Sequence, residues 1–189
     1  MTSLDIHFLH GFGMVGQHSE NITMDDVDFE APKESGRTTA GYADFVQMSG
    51  CKGTINISNC TFAGPHDDPI NIHGTFNTVT AISSDRRTIT VQYNHNETAG
   101  FPNFFEGDEI EFMTKGNMIT VEDSVRTVTK VDGPDGMGGN MGDGSGSLTT
   151  IKLTLNEAVP SDVQVNQHVV ENITYTPTVN ITNCEFKEV

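Results

Sequence analysis

One stretch of the chain copies itself at a fixed step, and that step restricts the fold more than any other property. YADFVQMSG at 42–50 returns as HDDPINIHG at 66–74, an offset of 24 residues (68 − 44) that lays Asp44 on Asp68, Val46 on Ile70 and Met48 on Ile72. The alternate, outward positions then pair Phe45 with Pro69, Gln47 with Asn71 and Ser49 with His73. A second pattern runs in step: Ile55, Ile57, Cys60 and Phe62 recur as Ile22, Met24, Val27 and Phe29, and again as Val179, Ile181, Cys184 and Phe186. Apolar positions that recur at a fixed period are buried by stacking one copy on the next. Turn residues at Gly50–Gly53 and Ala63–His66 separate the short strands, which predicts a parallel β-helix with Val46, Met48, Ile55, Ile57, Cys60, Phe62, Ile70 and Ile72 inside. An antiparallel sandwich gives no reason for such a register.

The step is interrupted twice. From Ile22 to Ile55 it is 33 residues (55 − 22), and the excess fits a polar loop from Ala31 to Tyr42 whose only arginine is Arg37. After Ile55 the next copy is due near position 79 but arrives at Val179, which leaves 100 extra residues (179 − 55 − 24). Within them NTVTAI, RTITVQY, DEIEFM, RTVTKV and TTIKLTL alternate apolar and polar residues, as in a small antiparallel barrel or sandwich. The Gly-rich tract from Asp132 to Gly146 reads as a hairpin loop without the spacing of a calcium-binding repeat or a phosphate loop. The fold class expected is all-β: a partial parallel β-helix over residues 1–76, an inserted β-barrel-like domain over 77–168, and a return to the β-helix over 169–189. A stack that stops without a cap predicts that the chain belongs to something longer.

Twenty-six Asp and Glu against ten Lys and Arg leave a formal net charge of −16, which repels phosphate backbones and anionic membranes. Nucleic acid and membrane are therefore excluded as partners. No leader pattern marks the first 30 residues and no run has the length of a membrane span; a secreted or periplasmic protein is expected, its signal not present in this chain. Cys51, Cys60 and Cys184 are odd in number, and the last two share one inward repeat position, where stacked reduced thiols are expected.

The chemistry is concentrated in GPHDDPINIHGT, 64–75. Alone, Asp67 and Asp68 before Pro69 read as turn residues that bond their own backbone. The upstream copy changes that reading: coils stacked about 4.8 Å apart put Asp44 beside Asp68, with Asp67 adjoining. Clustered carboxylates repel one another and divide into a proton donor and a proton acceptor, the division that glycoside hydrolysis needs. Gln47, Asn71 and His73 form a neutral hydrogen-bonding ladder suited to sugar hydroxyls, and His66 and Arg37 are further candidates for substrate contact. The competing use of the three acids is a calcium site.

The run QHSENI followed by GRTTAGYADFVQMSGCKGTINISNCTFAGPHDDPINIHGTF resembles glycoside hydrolase family 110, the exo-acting α-1,3-galactosidases. The likeness spans 13–76 and includes AD, SGCKG, DDPIN and HGT in order and spacing. It implies a right-handed parallel β-helix with a β-barrel inserted after the HGT strand, and inverting removal of terminal α-1,3-linked galactose with no metal and no cofactor. It also implies that the essential acids are Asp44, Asp67 and Asp68, and that the partner is a galactose-terminated oligosaccharide or glycan. Two positions depart from the family: His66 stands where an apolar residue is usual, and His18 where arginine is usual. The alternatives are a polygalacturonase-like β-helix hydrolase, which needs basic residues close to its acids, and a non-catalytic carbohydrate-binding β-helix in which Asp67 and Asp68 hold calcium or cap a turn.

Overall fold

The structure, a computed structural model, describes residues 1–95, 98, 102–134 and 150–188. It divides into two compact units, one of residues 1–73 and 175–189, the other of Gly74–Thr174.

The first unit consists of short strands that pair only in parallel: β1 (Thr2–Ile6), β2 (Met14–Gln17), β3 (Glu20–Phe29), β4 (Val46–Ser49), β5 (Lys52–Ser58), β6 (Thr61–Ala63), β7 (Asn71–His73), β14 (Thr178–Thr182) and β15 (Glu185–Lys187). One sheet runs β2, β4, β7. In the other, β3 pairs with β5 and β6, whose far sides carry β14 and β15, and β1 lies against β3. The register follows the repeat. Gln47 pairs with Asn71, Met48 with Ile72 and Ser49 with His73; Ile22 pairs with Ile55, and Ile55 with Val179 across the whole interruption.

Two devices hold the copies in line. Phe45, Phe29, Phe62 and Phe186 form a stacked column with centroid spacings of 5.1, 5.5 and 5.3 Å and interplanar angles of 9°, 14° and 15°. At the equivalent point of each copy the residue before Val27, Cys60 and Cys184 is Asp26, Asn59 or Asn183, all with positive φ (56°, 55° and 53°). Asn and Asp tolerate this left-handed conformation better than other non-glycine residues. The expected inward residues Val46, Met48, Ile55, Ile57, Cys60 and Phe62 are buried, and Ile70 and Ile72 pack half-buried against the same core. Cys51, Cys60 and Cys184 are free, and Cys184 is half-buried.

Phe45 corrects the alternation expected from the repeat. It is fully buried and stacked on Phe29, not outward beside Pro69. The backbone bends at Phe45, just before β4 starts, so that Phe45 and Val46 both enter the core. The pairing of β1 with β3 was also not foreseen, because TSLDI has no copy elsewhere in the chain.

The second unit is a closed antiparallel barrel in the order β10, β11, β12, β9, β8, β13, formed by β8 (Phe76–Ile82), β9 (Thr88–Tyr93), β10 (Glu109–Thr114), β11 (Arg126–Asp132), β12 (Thr150–Leu155) and β13 (His168–Asn172). Val79, Ile89, Val91, Tyr93, Ile110, Phe112 and Leu153 fill it. Five strands lie where the alternating segments predict them. The sixth, β13, pairs with β10 and β8 and so belongs to the barrel, although residues from 169 onward are expected from sequence to have left it. In HVVEN the two valines stand side by side, so the sequence carries no alternation of apolar and polar residues there, and His168, Val169 and Val170 are all buried. The Gly-rich tract read as a hairpin loop lies, beyond Pro134, outside the described residues.

Candidate active site

Asp44 is held by the bend that buries Phe45. The Gly13 amide donates to the Asp44 carbonyl (2.9 Å), the Met14 amide to the Phe45 carbonyl (2.8 Å) and the Phe45 amide to the Asp68 carbonyl (3.1 Å). These bonds tie the approach to β2, the bend before β4 and the Asp67–Asp68 turn together at one level. Gly13 has to be glycine for this: an added Cβ would run into the Phe45 carbonyl oxygen and come within 2.8 Å of the Phe29 ring.

The three carboxylates meet there. One oxygen from each of Asp44, Asp67 and Asp68 lies within 4.8 Å of the other two, with Asp44 buried and the other two exposed. Asp44, 4% exposed, accepts a hydrogen bond from Asn71 Nδ2 at 3.1 Å, which satisfies a charge that burial alone would penalise. Asp67 and Asp68 stand on the turn before β7 and face solvent.

The other candidates divide. Gln47 and Asn71 are register partners on the outward face of the β2–β4–β7 sheet and both are half-buried. His73, exposed, pairs with Ser49 one step along the same face. His66, exposed, meets Tyr42 edge to face at 5.8 Å and 70°. The Arg37 guanidinium carbon lies 4.6 Å over the Phe8 ring. Tyr42, 72% exposed, was not singled out from sequence; its place two residues before Asp44 in YAD is the signal that could have found it.

Chemically, such a cluster can supply a proton, accept one, and orient a hydroxyl-bearing substrate through neutral amides. The same oxygen spacing also suits a hard cation that takes several carboxylate ligands.

The family model described as GLAA-B beta-barrel domain II matches residues 88–134, which include β9, β10 and β11. Over 189 residues the chain is 49% identical to a protein of Streptomyces avermitilis named alpha-1,3-galactosidase A, covering 100% of this chain and 29% of that protein. A Bacteroides thetaiotaomicron protein of the same name is 40% identical over 190 residues, covering 100% of this chain and 31% of that one. A second protein from that organism, named alpha-1,3-galactosidase B, is 29% identical over 177 residues, with coverages of 93% and 26%. The chain thus spans less than a third of the length of these relatives. From end to end and through both units the chain is thus similar to proteins named alpha-1,3-galactosidase A, in agreement with the family resemblance that its motifs carry.

Proposed function

We propose that the protein containing this chain is an inverting exo-α-galactosidase that removes terminal α-1,3-linked galactose from glycans, with Asp44, Asp67 and Asp68 as its acid–base machinery. The observation that carries this reading is the meeting of three carboxylates from two repeat copies, in a chain similar throughout to proteins named alpha-1,3-galactosidase A. The parallel ladders of the first unit support a parallel β-helix as the scaffold, partial in this chain; its right-handedness is what the family resemblance implies. A secreted or periplasmic location belongs to the same reading, since galactose-terminated glycans of this kind are met outside the cytoplasm.

In this mechanism one carboxylic acid protonates the glycosidic oxygen as the bond to the anomeric carbon breaks. A carboxylate takes a proton from the water that attacks the opposite face, and the third acid orients the sugar or tunes its neighbours. Asn71 holds Asp44, while Gln47 and His73 offer hydrogen bonds to hydroxyls. Inversion rests on the family resemblance, not on the spacing. Inverting hydrolases hold their acid pair roughly 6.5–9.5 Å apart to admit water, whereas the 4.8 Å here is the limit between the nearest oxygens of three acids, of which only two form the pair.

A second reading, a calcium-dependent carbohydrate-binding module, is favoured by that same oxygen spacing. Proton NMR of the first sugar released from terminal α-galactosides by the full-length protein decides. β-Galactose first is the expected result; α-galactose first contradicts inversion, and no release contradicts the hydrolase.

A further inference from the structure

We propose that Tyr42, backed by His66, is a sugar-stacking platform beside the acids, receiving the C–H face of the galactose ring. This rests on the hydrolase reading above for the identity of the sugar and deepens it by naming a specificity residue. The two rings bridge the segments that deliver the carboxylates: Tyr42 lies two residues before Asp44, His66 immediately precedes Asp67, and the rings meet at 5.8 Å and 70°.

The backbone under Tyr42 is fixed on both sides. The Leu9 amide donates to the Ala40 carbonyl (2.7 Å), the Ala43 amide to the Gly11 carbonyl (3.4 Å) and the Gly13 amide to the Asp44 carbonyl (2.9 Å). Thr39 Oγ1 donates to the Gly41 carbonyl (2.7 Å) and accepts from the Gly41 amide (3.1 Å). Ala40 and Gly41 are buried, yet Tyr42 is 72% exposed. A large ring on a pinned backbone binds without much ordering cost, the property that makes aromatic anchors effective.

The chemistry selects the ligand. The axial 4-hydroxyl of galactose leaves C3–H, C4–H and C5–H on one face of the ring, and these weakly positive hydrogens suit the negative face of an aromatic system. The nearby alternative, Phe8, is 53% exposed, but the Arg37 guanidinium already covers its ring.

The test uses the full-length protein and a terminal α-galactoside. Tyr42→Ala is expected to raise KM by about tenfold, with a smaller loss in kcat, and Tyr42→Phe, which keeps the ring and loses the hydroxyl, to restore a KM near that of wild type. An unchanged KM in Tyr42→Ala overturns the proposal, as does a Tyr42→Phe variant as impaired as Tyr42→Ala. Asp44→Asn, by contrast, is expected to lower kcat, so the two readings fail separately. Should the full-length protein release no galactose, saturation-transfer NMR with methyl α-galactoside decides the platform alone. Transfer to H3, H4 and H5 that is lost in Tyr42→Ala and kept in Asp44→Asn supports it, and transfer absent from wild type or indifferent to Tyr42 overturns it.

Discussion

Asn71 Nδ2 donates to Asp44 Oδ2 across 3.1 Å, joining residues 27 positions apart in the chain, one at the start of β7 and the other just before its neighbour β4. The bond answers a question that the repeat raises, namely how a carboxylate can be 4% exposed beside an apolar core. Asn71→Ala removes the donor and leaves the buried carboxylate without it, which is expected to cost about 1.5–3 kcal/mol of stability. Chemical denaturation of this chain reads the loss directly. Asp44→Asn with Asn71 intact is expected to cost less than Asn71→Ala, because the buried group is then neutral.

Gly13 and Gly11 make a matched pair for testing the bend. A Cβ at Gly13 would meet the Phe45 carbonyl oxygen and lie 2.8 Å from the Phe29 ring, whereas one at Gly11 would meet nothing within 4 Å. Gly13→Ala is therefore expected to destabilise by about 1–3 kcal/mol through overpacking, and Gly11→Ala to leave the thermal midpoint near that of wild type. In the full-length protein Gly13→Ala should also depress turnover, because it displaces Phe45, which follows Asp44 and whose amide donates to the Asp68 carbonyl.

These two sites show what the sequence made legible and what it did not. The pairings of Gln47 with Asn71 and of Val179 with Ile55 follow from offsets alone, since a stacked repeat has one register that keeps its apolar row inside. Phe45 broke the alternation because a bend, unlike a strand, lets two successive residues face the core. The strand β13 was hidden because HVVEN sets two valines side by side in place of an apolar–polar alternation. Tyr42 was hidden for another reason: a tyrosine in a polar loop carries no pattern until its neighbours in space are known.

The barrel carries a pH dependence of its own. Glu171 on β13 lies opposite Glu111 on β10, and its carboxyl is pushed above its usual 4.5 first by burial and then by the Glu111 charge. A raised carboxyl contributes most when protonated. Its stabilising contribution is therefore complete below pH 4.5 and is lost as pH rises through the folded value. Glu171→Gln is expected to flatten this part of the stability curve, so the difference in melting temperature between variant and wild type should grow in the variant's favour as pH rises from 4.5. Asp25 and Asp85, whose carboxyls are held below the usual range by hydrogen bonds from Ser58 and Ser83, act with the opposite sign but cancel in the difference. A gap that does not change with pH would contradict the account.

Cys60 Sγ bonds the Ser58 carbonyl at 3.1 Å, and burial pushes its thiol up, so little thiolate is present at neutral pH. Alkylation of the folded chain is expected to be slow at Cys60 and at Cys51, whose thiol burial also raises. Thiol titration of the unfolded chain should find all three cysteines reduced. Finding one thiol instead of three would mean that a pair has been oxidised. Cys60→Ser buries a hydroxyl in place of a sulfur and should cost on the order of 1 kcal/mol or more.

The last prediction concerns the acids themselves. Asp44 is buried and bonded to Asn71, while Asp67 and Asp68 are exposed on a turn, so the three have different freedom to approach a sugar. As sequence neighbours, Asp67 and Asp68 also diverge from a common backbone, so at most one of them shares the breaking bond with Asp44. In the full-length protein each Asp→Asn change should therefore act differently. The two proton-transfer residues are expected to lose about a hundredfold or more in kcat, and the third to lose less and mainly in KM. His73→Ala should weaken binding more than turnover. Near-normal kcat after Asp44→Asn or Asp68→Asn would move the acid pair elsewhere. The calcium reading separates cleanly from this one: EDTA should lower the melting temperature and abolish ligand binding if a cation holds the three acids together, and should change neither turnover nor melting temperature if they act on protons.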